Sequence, residues 1–122
     1  MEKKFKVGVF NDKINAILGT NIQPGAIYQS KGLKAHMLSR RHFTAAKYID
    51  CISEILESPD YVGVSGEEDN PSIEYVKCYE DNIRLVVKTD AKNGTLYVAT
   101  MFELPDKKLD RFIHSGRLKK YC

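Results

Sequence analysis

The stretch SIEYVKCYEDNIRLVVKTDAKNGTLYVATMFE, residues 72–103, decides the fold of this 122-residue chain. Valine, isoleucine, tyrosine and threonine recur in it with a period of two, as is typical of β-strands. Three strands are predicted, over residues 72–79, 82–90 and 94–103. A short EDN step joins the first two, and the Asn-Gly pair in AKNG is a strong hairpin signal between the last two. The stretch therefore predicts an antiparallel meander.

Helical patterns dominate the chain before this meander. Residues 43–57, FTAAKYIDCISEILE, carry apolar side chains at i, i+3, i+4 and i+7 spacing, which predicts the clearest helix of the chain. A shorter basic helix is predicted over residues 31–42, KGLKAHMLSRRH. After the meander, residues 104–116 begin near a proline and end at a glycine, which is the usual asymmetry of a helix. Residues 117–121 then predict a short closing strand.

Together these elements predict an α+β fold, in which a mostly helical first half is followed by an antiparallel meander, one helix and one strand. Helices segregated from an antiparallel sheet are typical of this class. A further strand is predicted over residues 60–64, and short extended pieces over 3–10 and 26–30. The chain contains no internal repeat and no linker, and its length suits one hydrophobic core. We therefore expect a single domain over residues 1–122.

Positive charge is concentrated in two segments, although the net charge of the chain is only +3. Residues 31–47 hold five cations, no anion and two of the three histidines. Residues 107–121 hold six cations, one anion and the third histidine. A basic balance of this kind is compatible with nucleic acid as a partner.

The predicted sheet has one apolar face and one mixed face. In the strand over residues 82–90, Arg84 and Lys88 alternate with apolar residues and therefore share a face. Cations and aromatic rings mixed on a sheet suit the backbone and bases of RNA. An ordinary solvated face, on which Lys and Arg stems cover apolar surface, explains the same pattern. In the last strand of the meander, alternation predicts one shared face for Leu96, Val98, Thr100 and Phe102.

The histidines are the candidates for catalysis. His36 and His42 flank Arg40 and Arg41, and His114 precedes a Ser-Gly step. Cleavage of RNA without a metal needs a base for the 2′-OH proton, an acid for the departing 5′-oxygen, and cations at the phosphate. Histidine can serve either proton-transfer role near neutral pH, while arginine and lysine hold phosphate. A surface cation cluster is the alternative explanation of these residues.

We expect no metal, no cofactor and no membrane association. The three cysteines, Cys51, Cys78 and Cys122, are widely spaced and form no CxxC pair. The chain has no HExxH motif, no DxD motif and no glycine-rich phosphate loop. No apolar run approaches the roughly 20 residues of a membrane span. A cytoplasmic protein is the expectation.

Five pieces of the chain, in this order, carry a resemblance to a known group of proteins: KAHMLSRRH, ILESPDYVGV, SIEYVK, LYVATM and SGRLKK. They resemble the phage-associated subgroup of the barnase–EndoU–colicin–RelE-like nuclease superfamily. The resemblance covers residues 26–121 and leaves 1–25 as an unmatched N-terminal extension. It implies a barnase/RelE-like α+β fold, with N-terminal helices packed on a four- to five-stranded antiparallel sheet. It further implies a metal-independent endoribonuclease of phage or mobile-element origin that cleaves RNA by 2′-OH transesterification, with tRNA or another structured RNA as the target. It also makes an immunity or antitoxin protein a candidate partner.

The resemblance also implies site residues, carried over by position. The catalytic set would be His36, Lys77, Thr100 and Arg117. His42 would be the second choice for the helix histidine, Lys88 a second sheet cation and Lys119 a second phosphate ligand. The two basic segments complete the predicted RNA-binding set, which is Arg40, Arg41, His42, Lys88, His114, Ser115, Lys119 and Lys120. Glu74 is a candidate for a base beside His36, but alternation with Lys77 puts it on the opposite face of its strand.

The identity of the base therefore stays open, and two function classes stay open with it. The first class is an RNA-cleaving enzyme that uses histidine alone. The second is a non-catalytic module of the same fold that binds nucleic acid or a host protein, with salt-sensitive binding and no product. A structural partner domain of a larger protein is a third interpretation.

Overall fold

The computed structural model describes residues 4–67, 70–90 and 92–121, and within them one seven-stranded sheet runs through the chain. The strands are β1 (Lys4–Phe10), β2 (Gly25–Ser30), β3 (Tyr61–Glu67), β4 (Asn70–Cys78), β5 (Asn82–Thr89), β6 (Leu96–Glu103) and β7 (Leu118–Lys120). The helices are α1 (Asp12–Leu18), α2 (Leu33–Ser39), α3 (Phe43–Ala46), α4 (Ile52–Glu57) and α5 (Asp106–His114), with a 3-10 turn at Ile49–Cys51 before α4.

The order of the strands across the sheet is β1-β2-β6-β5-β4-β3-β7. The meander β3 to β6 is antiparallel throughout, as the sequence predicts. Two other expectations are wrong: the sheet has seven strands instead of four or five, and β2 pairs with β6 in parallel. The N-terminal helices also do not precede the sheet, because β1 opens the described chain and α1 lies between β1 and β2.

The antiparallel β1–β2 pair explains the difference in strand number. It covers part of β6, which would otherwise be an edge of the meander with unpaired backbone groups. The parallel register is short and joins Ile27 to Leu96 and Tyr28 to Tyr97. A contact of two residue pairs between distant segments leaves no periodic signal in the sequence, so alternation alone does not predict it.

The helix predicted over residues 43–57 is broken into α3, the 3-10 turn and α4. At the break, the Cys51 N–H donates to the carbonyl oxygen of Tyr48 at 2.8 Å, an i to i−3 bond that tightens the chain. The Tyr48 hydroxyl donates to Asp81 at 3.0 Å, and its ring stacks on Tyr79. These contacts with the β4–β5 hairpin fix the break, which lets α3 contact β6 while α4 contacts β1 and β4.

The sheet has two faces, which we call the back face and the front face. The back face carries the main core, in which Tyr75, Ile83 and Leu85 pack with buried side chains of α1 and α4. The front face carries a smaller core of five buried residues between α5 and the sheet: Val76, Leu104, Leu109, Phe112 and Leu118. The front face also carries Glu74, Arg84, Val86 and Lys88, which alternate with the back-face residues of β4 and β5. Because α5 is short, part of the front face stays open.

A β-bulge in β6 changes which of its side chains reach the front face. Thr100 pairs with Val86 but Val98 pairs with Val87, so Ala99 is an extra residue in the strand. One inserted residue moves every following side chain to the other face. The expectation that Val98 and Thr100 share a face is therefore wrong: Val98 is buried in the main core, while Thr100 lies on the front face. Among the described residues, no helix is long and apolar enough to cross a membrane.

Candidate active site

A shallow basin of about 480 Å³ lies on the front face, beside the part of the sheet that α5 covers. Four strands of the meander and the end of α2 contribute to it. Its lining is His36, Arg40, His42, Ser65, Ser72, Arg84, Val86, Lys88, Ala99, Thr100 and Phe102. The basin is rich in imidazole, guanidinium, ammonium and hydroxyl groups, and the part of its lining that the structure describes contains no carboxylate.

Helix α2 supplies His36 and Arg40 to the basin. Leu33 and Met37 are buried at i and i+4 spacing, so this stripe anchors α2 to the core. His36 and Arg40 also have i and i+4 spacing, so they share a second stripe of the helix, next to the buried one. Both side chains are exposed. Burial of the apolar pair therefore determines that the two basic side chains share the outward edge of α2.

The turn after α2 directs His42 onto β6. The N–H of His42 donates to the Met37 carbonyl at 2.9 Å and the N–H of Arg41 donates to the Leu38 carbonyl at 3.1 Å, which is the Schellman pattern of a helix end. Arg41 occupies the left-handed position at φ 62°, where glycine is usual. The chain reverses there, and Nδ1 of His42 lies 3.3 Å from the Thr100 hydroxyl oxygen.

The His42 ring is held from two directions. Besides its contact with Thr100, it packs against the ring of Phe102 with a centroid separation of 5.6 Å and a tilt of 47°. Phe102 in turn lies under Arg84, whose guanidinium carbon is 4.8 Å from the ring centroid. An aromatic ring therefore separates the histidine of the turn from the arginine of β5 and fixes the spacing of the two.

A fully buried carboxylate, Glu74, organises the cations at the edge of the basin. Its Oε1 accepts from Arg84 and from Nη2 of Arg117 at 2.5 Å, and its Oε2 accepts from Nε of Arg117 at 3.2 Å. The hydroxyl of Ser65 also donates to Oε1 at 3.2 Å. Arg84 belongs to the basin as well, so this buried ion cluster sets the position of a basin cation.

The electrostatics of this cluster favour the charged form of Glu74. Burial alone would raise the pKa of its carboxyl group, but the hydrogen bond from Arg117 and the charge of Arg84 outweigh burial, so the pKa lies below its ordinary value. Glu74 is therefore a buried, charged carboxylate that forms ion pairs with two arginines.

Close packing around Glu74 requires a glycine on the neighbouring strand. A Cβ at Gly63, opposite Glu74 in the β3–β4 register, would lie 2.6 Å from the Arg117 carbonyl oxygen and 3.1 Å from Oε2 of Glu74. The backbone of β7 approaches β3 at this position because the side chain is missing. Gly63 thus allows Arg117, which directly precedes β7, to reach the carboxylate.

The basin brings together five of the residues that the sequence predicts for the site: His36, Arg40, His42, Lys88 and Thr100. Arg117 lies next to them through Glu74 instead of lining the basin itself. Arg41 borders the adjoining surface beside His42 and Phe43.

The remaining predicted residues lie elsewhere. Lys77 is on the back face, where it donates to the Ser58 carbonyl at 2.7 Å, and it pairs with Ile83. His114 is exposed on α5, with Nδ1 2.8 Å from the Asp110 carbonyl oxygen, and Ser115 hydrogen-bonds the Phe112 carbonyl at the end of that helix. Lys119 and Lys120 are exposed on β7 and point to opposite faces.

Sequence reasoning did not select Arg84, Ser65, Ser72 and Phe102 as site residues. For Arg84 a signal existed, because it shares the polar face of its strand with Lys88. For Phe102 a signal also existed, because alternation puts it on the same face as Thr100. The two serines are on neighbouring strands whose register the sequence does not give. Within the described residues, no group of three or more His, Cys, Asp or Glu side chains could hold a metal ion.

The family model of the phage-Barnase-EndoU-ColicinE5/D-RelE like nuclease3 matches residues 5–111. The chain belongs to this nuclease family. The match takes in α1 and nearly all of β1, which the resemblance seen in the sequence did not cover, and it ends within α5. Comparison with curated proteins and with solved structures gave no significant match.

Family membership confirms the suspected relationship and supports a nuclease-like domain. Every residue that lines the basin falls within the matched range. Arg117 and β7 fall beyond it, so the second arginine on Glu74 comes from a part of the chain outside the matched range.

Proposed function

We propose that this nuclease-family domain is an endoribonuclease that uses the ribose 2′-OH to attack the adjacent phosphate. The products would be a 2′,3′-cyclic phosphate and a free 5′-OH. The single observation that supports this most is the convergence of two histidines with Arg40, Arg84 and Lys88 in one basin. These are the groups that proton transfer and phosphate stabilisation require.

The cations hold the scissile phosphate. Lys88 is exposed on β5 and offers a mobile point charge, whereas Arg84 is almost enclosed and is held by Glu74 and by the ring of Phe102. A fixed guanidinium needs little reorganisation as negative charge grows on the phosphate in the transition state. Arg40, at the end of α2, adds a third positive charge to the lining.

The histidines share the two proton transfers. Contact of His42 Nδ1 with Thr100 leaves Nε2 of the ring as the nitrogen that exchanges a proton with RNA. His36 is exposed on the same edge and serves as the second group. One imidazole removes the 2′-OH proton as the 2′-oxygen forms its bond to phosphorus. The other donates a proton to the 5′-oxygen as the bond between that oxygen and phosphorus breaks.

The chemistry of the lining supports a reaction that does not depend on a metal ion. Mg²⁺ in nucleases is held chiefly by carboxylates, and none is found among the described residues of the basin lining. Glu74, the nearest buried carboxylate, is saturated by Arg84, Arg117 and Ser65. tRNA or another structured RNA is the target that we propose from the resemblance, and an immunity or antitoxin protein stays a prediction.

The test is incubation of the purified protein with total tRNA and with a single-stranded RNA in the presence of EDTA. His36→Ala and His42→Ala should each lower the cleavage rate by about 10²- to 10⁴-fold, the usual contribution of a proton-transfer group. His114→Ala is the matched control, because that histidine is exposed on α5 away from the basin, and it should cleave like the wild type.

The products and the binding data decide between enzyme and binding module. Fragments that end in 2′,3′-cyclic phosphate support the proposal, and a DNA oligonucleotide of the same sequence should stay intact because it lacks the 2′-OH. Undiminished cleavage by the double variant of His36 and His42 would overturn the roles given to the histidines. Intact RNA with a salt-dependent mobility shift would assign the domain to the non-catalytic alternative.

A further inference from the structure

A second concavity of about 360 Å³, which we call the side hollow, adjoins the basin. His42 and Phe102 line both and thus form the wall between them. The side hollow is lined by Arg41, His42, Phe43, Thr44, Ala45, Phe102 and Glu103. A strand of RNA whose phosphate occupies the basin would have a neighbouring nucleotide within reach of this hollow.

Phe43 is the notable side chain of the hollow. It is 59% exposed, more than Phe5 on the edge strand β1, which is 42% exposed. Helix α3 is anchored by Ala45 and Ala46, which are buried, so the fold does not use the Phe43 ring for packing. A large aromatic ring left in water beside a cation-lined basin is a surface suited to binding.

Phe43 is also the aromatic ring of the hollow that is free to stack. The ring of Phe102 is already engaged by the guanidinium of Arg84 and by the ring of His42. Phe43 follows the left-handed residue Arg41 by two positions, so the same turn that directs His42 to the basin positions Phe43 beside it. Arg41 brings a positive charge to the rim, and the exposed Glu103 brings a hydrogen-bond acceptor.

We propose that the side hollow binds one unpaired nucleobase, stacked on Phe43, next to the phosphate held in the basin. This rests on the proposed function and adds the state of the substrate at the point of binding. Every base has a π face, so stacking on an aromatic side chain tolerates many sequences. The cations of Arg40 and Arg41 suit the polyanionic backbone of RNA and favour it over an apolar peptide as the occupant.

A base in an intact A-form helix cannot reach Phe43. It is paired on one edge and covered on both faces by its neighbours, so it must first be unstacked. The inference therefore restricts the substrate to single-stranded segments, such as the loops and ends of a folded RNA. A perfect duplex would contact the basin cations alone.

The test uses the absence of tryptophan from this chain. Phe43→Trp introduces a single indole into the side hollow, and Phe5→Trp introduces one on β1 as the matched control. The probe is a fluorescein-labelled single-stranded oligonucleotide with 2′-O-methyl riboses, which cannot be cleaved through the 2′-oxygen. Anisotropy of the fluorescein reports binding, and quenching of the indole reports stacking.

Quenching of the indole in Phe43→Trp but not in Phe5→Trp supports the site. In a series of oligonucleotides that each lack the base at one position, the quenching should disappear for one member. Phe43→Ala should weaken binding of the single strand about tenfold, as expected for one lost base–aromatic stack. Phe43→Tyr should restore it, and binding of a duplex should not change. If the anisotropy shows binding but the indole of Phe43→Trp is not quenched, the base site in the side hollow is overturned and the proposed function is not. If the wild type gives no change in anisotropy, RNA binding at the basin fails and the proposed function falls together with this site.

Discussion

Nδ1 of His42 lies 3.3 Å from the hydroxyl oxygen of Thr100, although the two residues are 58 positions apart in the sequence. The contact joins the turn after α2 to the middle of β6. It exists because Arg41 reverses the chain after α2 and because the bulge at Ala99 turns Thr100 to the front face. Two local irregularities therefore have to coincide for the imidazole to be held in one orientation.

Thr100 should act as a positioning residue for His42. Thr100→Val removes the hydroxyl with little change in shape, and we expect kcat to fall by about tenfold, the order of one lost hydrogen bond, with KM unchanged. Thr100→Ser keeps the hydroxyl and should restore kcat. Steady-state cleavage of a short RNA across a range of pH is the measurement, since a mispositioned imidazole also alters the pH profile. A wild-type kcat and pH profile for Thr100→Val, at lowered thermal stability, would assign Thr100 to packing alone.

Glu74 should be a determinant of stability. Glu74→Gln removes the charge that Arg84 and Arg117 share in a buried setting, and we expect the free energy of unfolding to fall by about 3 kcal/mol. Urea denaturation at pH 7 measures this. Glu80→Gln is the matched control, because Glu80 is exposed, and it should unfold like the wild type. Equal midpoints for Glu74→Gln and the wild type would contradict the importance of the ion cluster.

The loss of folding stability at low pH should also depend on Glu74. The pKa of Glu74 is lower in the folded protein than its ordinary value, because the two arginines outweigh burial. Its contribution is therefore fully present above the ordinary glutamate pKa of about 4.3 and is lost as the pH falls through the lower folded pKa. Denaturation between pH 6 and pH 2.5 should show a weaker acid dependence for Glu74→Gln than for the wild type. Parallel curves would contradict the lowered pKa.

Lys88 and Lys77 form a matched pair that tests which face of the sheet meets RNA. Lys88 lines the basin, whereas Lys77 lies on the back face and binds the Ser58 carbonyl. Lys88→Ala should weaken binding of an uncleavable RNA and lower the slope of log affinity against log salt concentration by about one. Lys77→Ala should leave affinity and slope unchanged. The opposite result would mean that RNA binds the back face.

Much of the fold could be predicted because it rests on local patterns. The meander follows from period-two alternation and from Asn93–Gly94, and α2 follows from the buried spacing of Leu33 and Met37. The alternation that separates Glu74 from Lys77 is also confirmed. What the sequence could not predict depends on contacts between distant segments, such as the parallel pairing of Ile27 with Leu96.

The sequence predicted the types of residue in the candidate site better than it predicted which individual residues line it. His36, His42 and Lys88 stand out by residue type within basic or alternating segments, and they do share one basin. Lys77 is of the same type but opposite alternation, and only the packing of α1 and α4 determines which face is covered. Arg117 precedes its strand, so alternation along β7 could not place its side chain on a carboxylate of the other face.

The parallel pairing of β2 with β6 bears on the order of synthesis. A ribosome releases His36 and His42 long before it releases Thr100, and β6 is the strand that β2, α2 and α3 all contact. Until β6 is made, α2, which carries His36, and α3, which follows His42, lack the strand that they contact. The edge of β5 that carries Arg84 and Lys88 then also lacks its partner strand. The nascent chain thus carries its imidazoles apart from the groups that complete the basin, and the two halves meet only once most of the chain has left the exit tunnel.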